Sequence, residues 1–227
     1  MQNISNYILN LTSKKLATYL IVYPLILALA HTSLTLVSRL NSFDSEIYNR
    51  IVTAIEYGIF ILFLFIILFW FLWLRAAAKS VAELKLGLPI KWFHLAFGLF
   101  LFYLVFNLSY DFLINFISNI NQDYTWIMYA ARETINFVGL LVLYPIICHY
   151  SARAIYVKKN NAAATFVKSI PFTLLLIFIP ISIPFFQNYF SPIKTNQNTL
   201  IKIYVLGLGI ILLLFMTGLI AAFTGAV

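Results

Sequence analysis

The sequence predicts an all-α, polytopic transmembrane bundle of six spans with short loops, and three observations carry that prediction. The composition is 63% apolar and only 10% charged, against about 25% charged in an ordinary soluble domain. The apolar residues form continuous runs, as from Ile59 to Leu74, rather than the alternating segments of about 10 residues that barrel strands require. The basic residues gather on alternate loops. A soluble chain of this size keeps roughly 30% of its surface in water after folding, and this one has too little polar surface to cover it. Lipid removes that demand. A spanning helix takes about 20 apolar residues to cross roughly 30 Å of hydrocarbon. Six of them occupy over half of the 227 residues, so residues 1–227 read as one integral membrane domain.

The spans fall at about 16–38, 52–74, 92–114, 128–149, 170–190 and 199–223, with ends uncertain by several residues. Lys14-Lys15, the apolar run after them and Ala28-Leu29-Ala30 have the form of a signal peptide. The run continues through Val37, however, so it reads as a retained first span. Pro89 stands just before the third span and Pro171 opens the fifth, positions where the missing N–H costs nothing. Pro180 and Pro184 predict a kink in the fifth span.

Orientation follows from the basic residues. Lys14, Lys15, Arg75, Lys79, Lys85, Lys91, Arg153, Lys158, Lys159 and Lys168 fall on one side, against Arg39, Arg50, Arg132, Lys194 and Lys202 on the other. The first set is accompanied by a single acid, Glu83. Asp44, Glu46, Glu56, Asp111, Asp123 and Glu133 all fall toward the opposite side. This expectation is N-in/C-in, with both ends in the cytoplasm and the chain in a bacterial cytoplasmic (inner) membrane. The formal charge of +8 is then a matter of topology and anionic headgroups, and nucleic acid is not needed. The loops around Arg75, Lys79, Lys85 and Lys91, and around Arg153, Lys158 and Lys159, read as short amphipathic helices binding lipid headgroups.

Ionisable groups within spans cost about 2.5–3.5 kcal/mol each on insertion scales, so each asks for a reason. Glu56, Asp111, Arg132, Glu133 and Lys202 fall in the outer third of their spans, together with His31. The bland reading is that they reach water at their own span ends. Arg132-Glu133 resists it, because without the preceding residues the fourth span is too short to cross. Either the pair lies within the span or residues 124–131 form a separate surface helix. Hairpin geometry about a loop near residue 121 puts Asp111 level with Arg132, and Asn107 level with Asn136 one turn deeper. An Asp111–Arg132 ion pair with an amide contact beneath it is the expectation. Its structural role is an interhelical lock. Its functional alternative is an outward polar vestibule shared with Glu56, Glu133 and Lys202.

His94 and His149 are the one pair of histidines at matching depth for haem, but no small-residue face there admits a porphyrin. Cys148 and His149 point about 100° apart on a helix, which is poor for a shared metal. No metal or other cofactor is implied. Trp70, Trp73, Trp92 and Trp126 suit an aromatic belt. Gly207, Gly209, Gly218 and Ala221-Ala222 make the sixth span the best candidate for close helix packing.

The functional expectation is a non-enzymatic subunit or scaffold/assembly component of a membrane complex, with lipids and other subunits or itself as partners. A small transporter or channel component using the outer polar cluster comes second. A lipid-acting enzyme comes third, and it lacks a nucleophile at the right depth.

Overall fold

The computed structural model describes residues 2–41, 46–120, 124–178 and 182–223. The described residues are helical without a strand. In order they form α1 (Gln2–Asn10), α2 (Ser13–Ala17), α3 (Tyr23–Asn41), α4 (Glu46–Lys79), α5 (Glu83–Leu86), α6 (Ile90–Ile120), α7 (Thr125–Val138), α8 (Tyr144–Asn160), α9 (Phe166–Phe178), α10 (Ile183–Phe190) and α11 (Gln197–Phe223). Five continuous helical stretches are long and apolar enough to cross a membrane: Ser13–Ser33, Arg50–Lys79, Ile90–Ile117, Thr125–Asn160 and Gln197–Leu219. The charges at Asp44 and Asp123 lie outside the described residues, as do the side chains of Arg39 and Glu46.

The stretch expected as the fifth span, 170–190, carries two helices, α9 and α10, and residues 179–181 between them lie outside the described residues. At 1.5 Å per residue, α9 is about 20 Å long and α10 about 12 Å, so neither crosses roughly 30 Å of hydrocarbon alone. The residues of the basic loops are divided among helices: Arg75 and Lys79 belong to α4, Lys85 to the four-residue α5, Lys91 to α6, and Arg153, Lys158 and Lys159 to α8. Of the two arrangements open for Arg132-Glu133, residues 125–131 are continuous with the helix that carries the pair, Thr125–Asn160.

Two helices contain a widened turn at the same kind of place. Thr18–Val22 is a π-turn ending at Tyr23-Pro24, and Gly139–Leu143 is another ending at Tyr144-Pro145. Proline cannot donate to the carbonyl four residues back. In each helix the tyrosine N–H reaches one residue further, to Thr18 O and to Gly139 O, which lets the helix absorb the proline.

Contacts divide the chain into two compact units, Met1–Trp73 with Ile181–Val227, and Leu74–Pro180. In the first unit the core of Ala17, Ile21 and Leu200 is extended by Leu20, Leu25, Ile203 and Tyr204. A Cβ built on Gly207 would lie 2.9 Å from Ile21 and 3.4 Å from Leu25. Leu200 thus meets the start of the first helical stretch, at Ala17 and Ile21, and Gly207 meets a point about one turn on, at Ile21 and Leu25. α11 therefore runs parallel to α2–α3, whereas alternation through six spans makes the first and last antiparallel. Gly207 packs as expected of the sixth span, while Gly209 and Gly218 have nothing within 4 Å.

A polar anchor holds this end of the unit. Gln187, fully buried, accepts from the Trp73 indole N–H at 2.6 Å and turns its amide toward the carbonyls of Ile8, Leu9 and Leu11 at 3.1, 3.0 and 2.7 Å. Those carbonyls are at or just beyond the C-terminus of α1, where the helix supplies no further donors and, among the described residues, only Ile8 O receives another backbone N–H, from Leu11 at 3.3 Å. The Asn188 side chain accepts from the Ser13 hydroxyl at 2.8 Å and from Thr195 N at 3.0 Å, and Lys14 N donates to Thr195 Oγ1 at 3.3 Å. Trp73, expected in a belt, is instead core, edge-on to Phe190 at 5.7 Å.

In the second unit α6 and α9 each pack antiparallel to α8. Phe93 lies 5.5 Å from Tyr150 and Phe100 lies 6.0 Å from Tyr144, measured between ring centres. At Gly139 α6 comes close: an added Cβ would sit 2.5 Å from the Tyr103 ring. Gly139→Ala is expected to lower stability by about 1–3 kcal/mol through overpacking. A thermal melt in detergent measures it, and Tyr103→Ala in the same chain should remove most of the difference.

Candidate functional site

The polar groups that stand beside a cavity lie in the second unit, where α8 ends. His149 and Arg153 are four residues apart and share a helix face. Arg153 Nε donates to His149 Nε2 at 3.2 Å. The other ring nitrogen, Nδ1, lies 2.9 Å from Thr173 Oγ1, and that hydroxyl donates to Ser169 O at 3.0 Å. An Nε2 that accepts leaves the proton on Nδ1, so the geometry fits a neutral imidazole donating to Thr173. The Phe166 ring lies 5.0 Å away.

Arg153 is 5% exposed and donates through Nη1 to Leu86 O. Leu86 closes the four-residue α5, and Gly87 behind it takes φ +66° with its N–H on Glu83 O at 3.0 Å. A Cβ there would meet both Ala164 O and Arg153 Nη1 at 3.2 Å. Glu83 Oε1 accepts from Ile90 N at 3.2 Å, and the Tyr150 hydroxyl donates to Pro89 O at 2.7 Å. Ser151 donates to Leu74 O at 3.0 Å. The segment between α4 and α6 is thereby fastened to α8.

Alongside runs a groove of about 600 Å³ between α6, α8 and α9, lined by Trp92, Leu95, Leu99, Ile146, Ile170 and Leu174, with the His149–Thr173 pair on its wall. Its size is that of a small-molecule or lipid-chain site. The polar atoms of His149, Thr173 and Tyr150 on its wall already have partners, so it offers an apolar chain a surface and a polar ligand little. Cys148 is fully buried and does not line it. Lys91 sits with its amine 5.8 Å from the Trp92 ring.

The outer cluster read from the sequence is not gathered into one site. Among the described residues no Asp111–Arg132 ion pair forms. Arg132 instead lies over the Tyr110 ring, 4.1 Å from its centre, while Asp111 and Glu133 are exposed. One residue is 100° on a helix, and it is Tyr110, 2% exposed, that faces inward. Arg132 Nε and the Tyr110 hydroxyl are buried without hydrogen-bond partners. Asn107 donates to Tyr103 O in its own helix, and Asn136 is half-buried. Glu56 lies 3.4 Å from His31 Nε2. Lys202 is exposed one turn into α11.

Of the basic residues expected at headgroups, Lys79, Lys85, Lys91, Lys158 and Lys159 are exposed. Arg75 rests over Phe97 and Lys159 over Phe172, at 5.6 and 5.4 Å. Arg153 differs, since its guanidinium is spent inside the protein. Thr173 and Ser169 carried no weight in the sequence, although two hydroxyls four residues apart in an apolar helix mark a polar face.

The architecture is that of an all-helical chain suited to multiple membrane crossings. Compared with known proteins, it matches no family model, no curated protein and no solved structure.

Proposed function

We propose that the chain is a non-enzymatic, multi-pass membrane protein that works as a subunit or assembly component of a larger membrane complex, with its basic loops in the cytoplasm. One observation carries this reading. In four of the five candidate spans no more than 22% of the most apolar stretch is buried by the chain itself, and for Arg50–Lys79 and Gln197–Leu219 the share is 17%. A helix covered so little by its own chain leaves its surface to lipid or to other subunits, and Gly209 and Gly218 leave α11 room for close approach. The polar bonds also fasten segments together rather than line a path. A transporter reading has less support, because Asp111, Arg132 and Glu133 point to separate surroundings.

Purification in mild detergent at native expression, followed by mass spectrometry, tests the proposal. Partner proteins in fixed stoichiometry are the expected result. A lone monomer or homo-oligomer from undisturbed membranes counts decisively against it.

A further inference from the structure

We propose that the chain stands on the same face of the membrane at residue 166 and at residue 190, so that α11 crosses parallel to α3 and Lys194 and Lys202 join Lys14 and Lys15 in one cluster facing anionic lipid headgroups. Within the second unit α9 runs antiparallel to α8, and near its described end the Tyr144 hydroxyl donates to Leu176 O at 3.0 Å. Tyr144 is level with Phe100, ten residues into α6. Within the first unit, α10 stands beside α11, with Phe185 stacked on Tyr204 at 4.7 Å. It ends where Gln187 and Asn188 hold Ile8, Leu11 and Ser13.

Parity gives the same result. If α2–α3 leaves the first face, then α4, α6 and α7–α8 are three crossings that bring the chain back to it. A further full crossing by 166–190 would turn α11 antiparallel to α3. The contacts of Leu200 and Gly207 with Ala17, Ile21 and Leu25 make the pair parallel.

The distribution of charge agrees independently. With residues 190–197 on the first face, twelve of the fifteen Lys and Arg residues share it, and only Arg39, Arg50 and Arg132 remain opposite. A full crossing at 166–190 gives ten against five, which is the weaker positive-inside bias. The cluster itself is held in place. Lys14 N is bonded to Thr195 Oγ1, Lys194 donates to Asn188 O and to Ser191 O, and Lys202 follows Leu200 by two residues. All four lysines are exposed, and no acid pairs with them among the described residues. Long side chains at such a level extend to the headgroups, where each contributes about 1 kcal/mol of attraction to an anionic leaflet.

Single cysteines in a Cys148→Ala chain, labelled by a membrane-impermeant maleimide in intact cells and in inverted vesicles, decide the matter. Lys158→Cys marks the first face, Ile193→Cys tests the face on which the chain stands after α10 and a cysteine inserted after Phe223 tests α11. Ile193→Cys labelling with Lys158→Cys, and the inserted cysteine labelling from the other side, is the expected pattern. Ile193→Cys labelling opposite to Lys158→Cys overturns the proposal, whatever partners the protein has. For the cluster, binding of the purified chain to vesicles is compared with and without phosphatidylglycerol. Lys194→Gln with Lys202→Gln should abolish a preference for the anionic vesicles of several-fold or more. An unchanged preference overturns the headgroup assignment.

Discussion

Gln187→Glu should unfold the first unit at a markedly lower temperature, although the two side chains have nearly the same size. Gln187 acts as acceptor and donor at once. Its oxygen takes the Trp73 N–H, and its amide serves the carbonyls after α1. Glutamate keeps the acceptor and replaces the donors with an oxygen aimed at other oxygens. Each buried group left without a partner costs about 1–3 kcal/mol, so the loss should be on the order of 3–6 kcal/mol. Gln187→Leu removes the acceptor as well and should be at least as damaging. Helical signal followed through a detergent titration measures both. A change under about 1 kcal/mol for the glutamate variant, which lies inside ordinary surface scatter, would show that the site depends on shape alone.

The second large effect is at Arg153. Arg153→Met keeps much of the apolar stem but leaves Leu86 O and His149 Nε2 without their donor. Removing one member of a buried charged network typically costs about 3–5 kcal/mol, and here the loss should appear locally. The 80–89 segment contains the tryptic site Lys85, so its opening can be followed by proteolysis. Cleavage there rises about tenfold for each 1.4 kcal/mol of lost local stability when opening is faster than cutting. Arg153→Lys should fall between, since a single ammonium on a flexible stem replaces a rigid fork of donors. Gly87→Ala should also open this segment, through its positive φ and the 3.2 Å approach to Arg153. Equal cleavage rates in all of these would remove Arg153 from the fastening of the loop.

The helical, membrane-suited character of the chain was legible in its composition, and the long apolar runs located five of the helices. The direction of the last helix was not legible, because apolar content from 170 to 190 is the same whether or not that stretch crosses, and hydropathy carries no information about direction. The Asp111–Arg132 pairing failed for a smaller reason. Depth was reasoned from the hairpin, but a rotation of one residue sets Tyr110 inward. His149 drew notice as a possible ligand and Arg153 as a headgroup contact. Their bond to each other follows from i,i+4 spacing, which the sequence did contain. The two amides of Pro184-Phe-Phe-Gln-Asn-Tyr-Phe190 are the kind of residue that apolar surroundings oblige to find partners, but the sequence does not say which partners Gln187 finds.

The division of the chain has a consequence for the order in which it is made. The second unit, Leu74–Pro180, is one uninterrupted stretch, and its helices can settle against one another as they emerge. The first unit must wait. Gln187 is separated from Ile8 by 179 positions, and at about 5–20 residues per second that is roughly 10–40 s of synthesis. Through that interval the carbonyls after α1 and the indole of Trp73 have no Gln187 to meet. A ribosome stalled when Pro180 has just cleared its exit tunnel should therefore carry a closed second unit and an open first one, making the nascent chain's early helices the natural clients of whatever insertion machinery attends it.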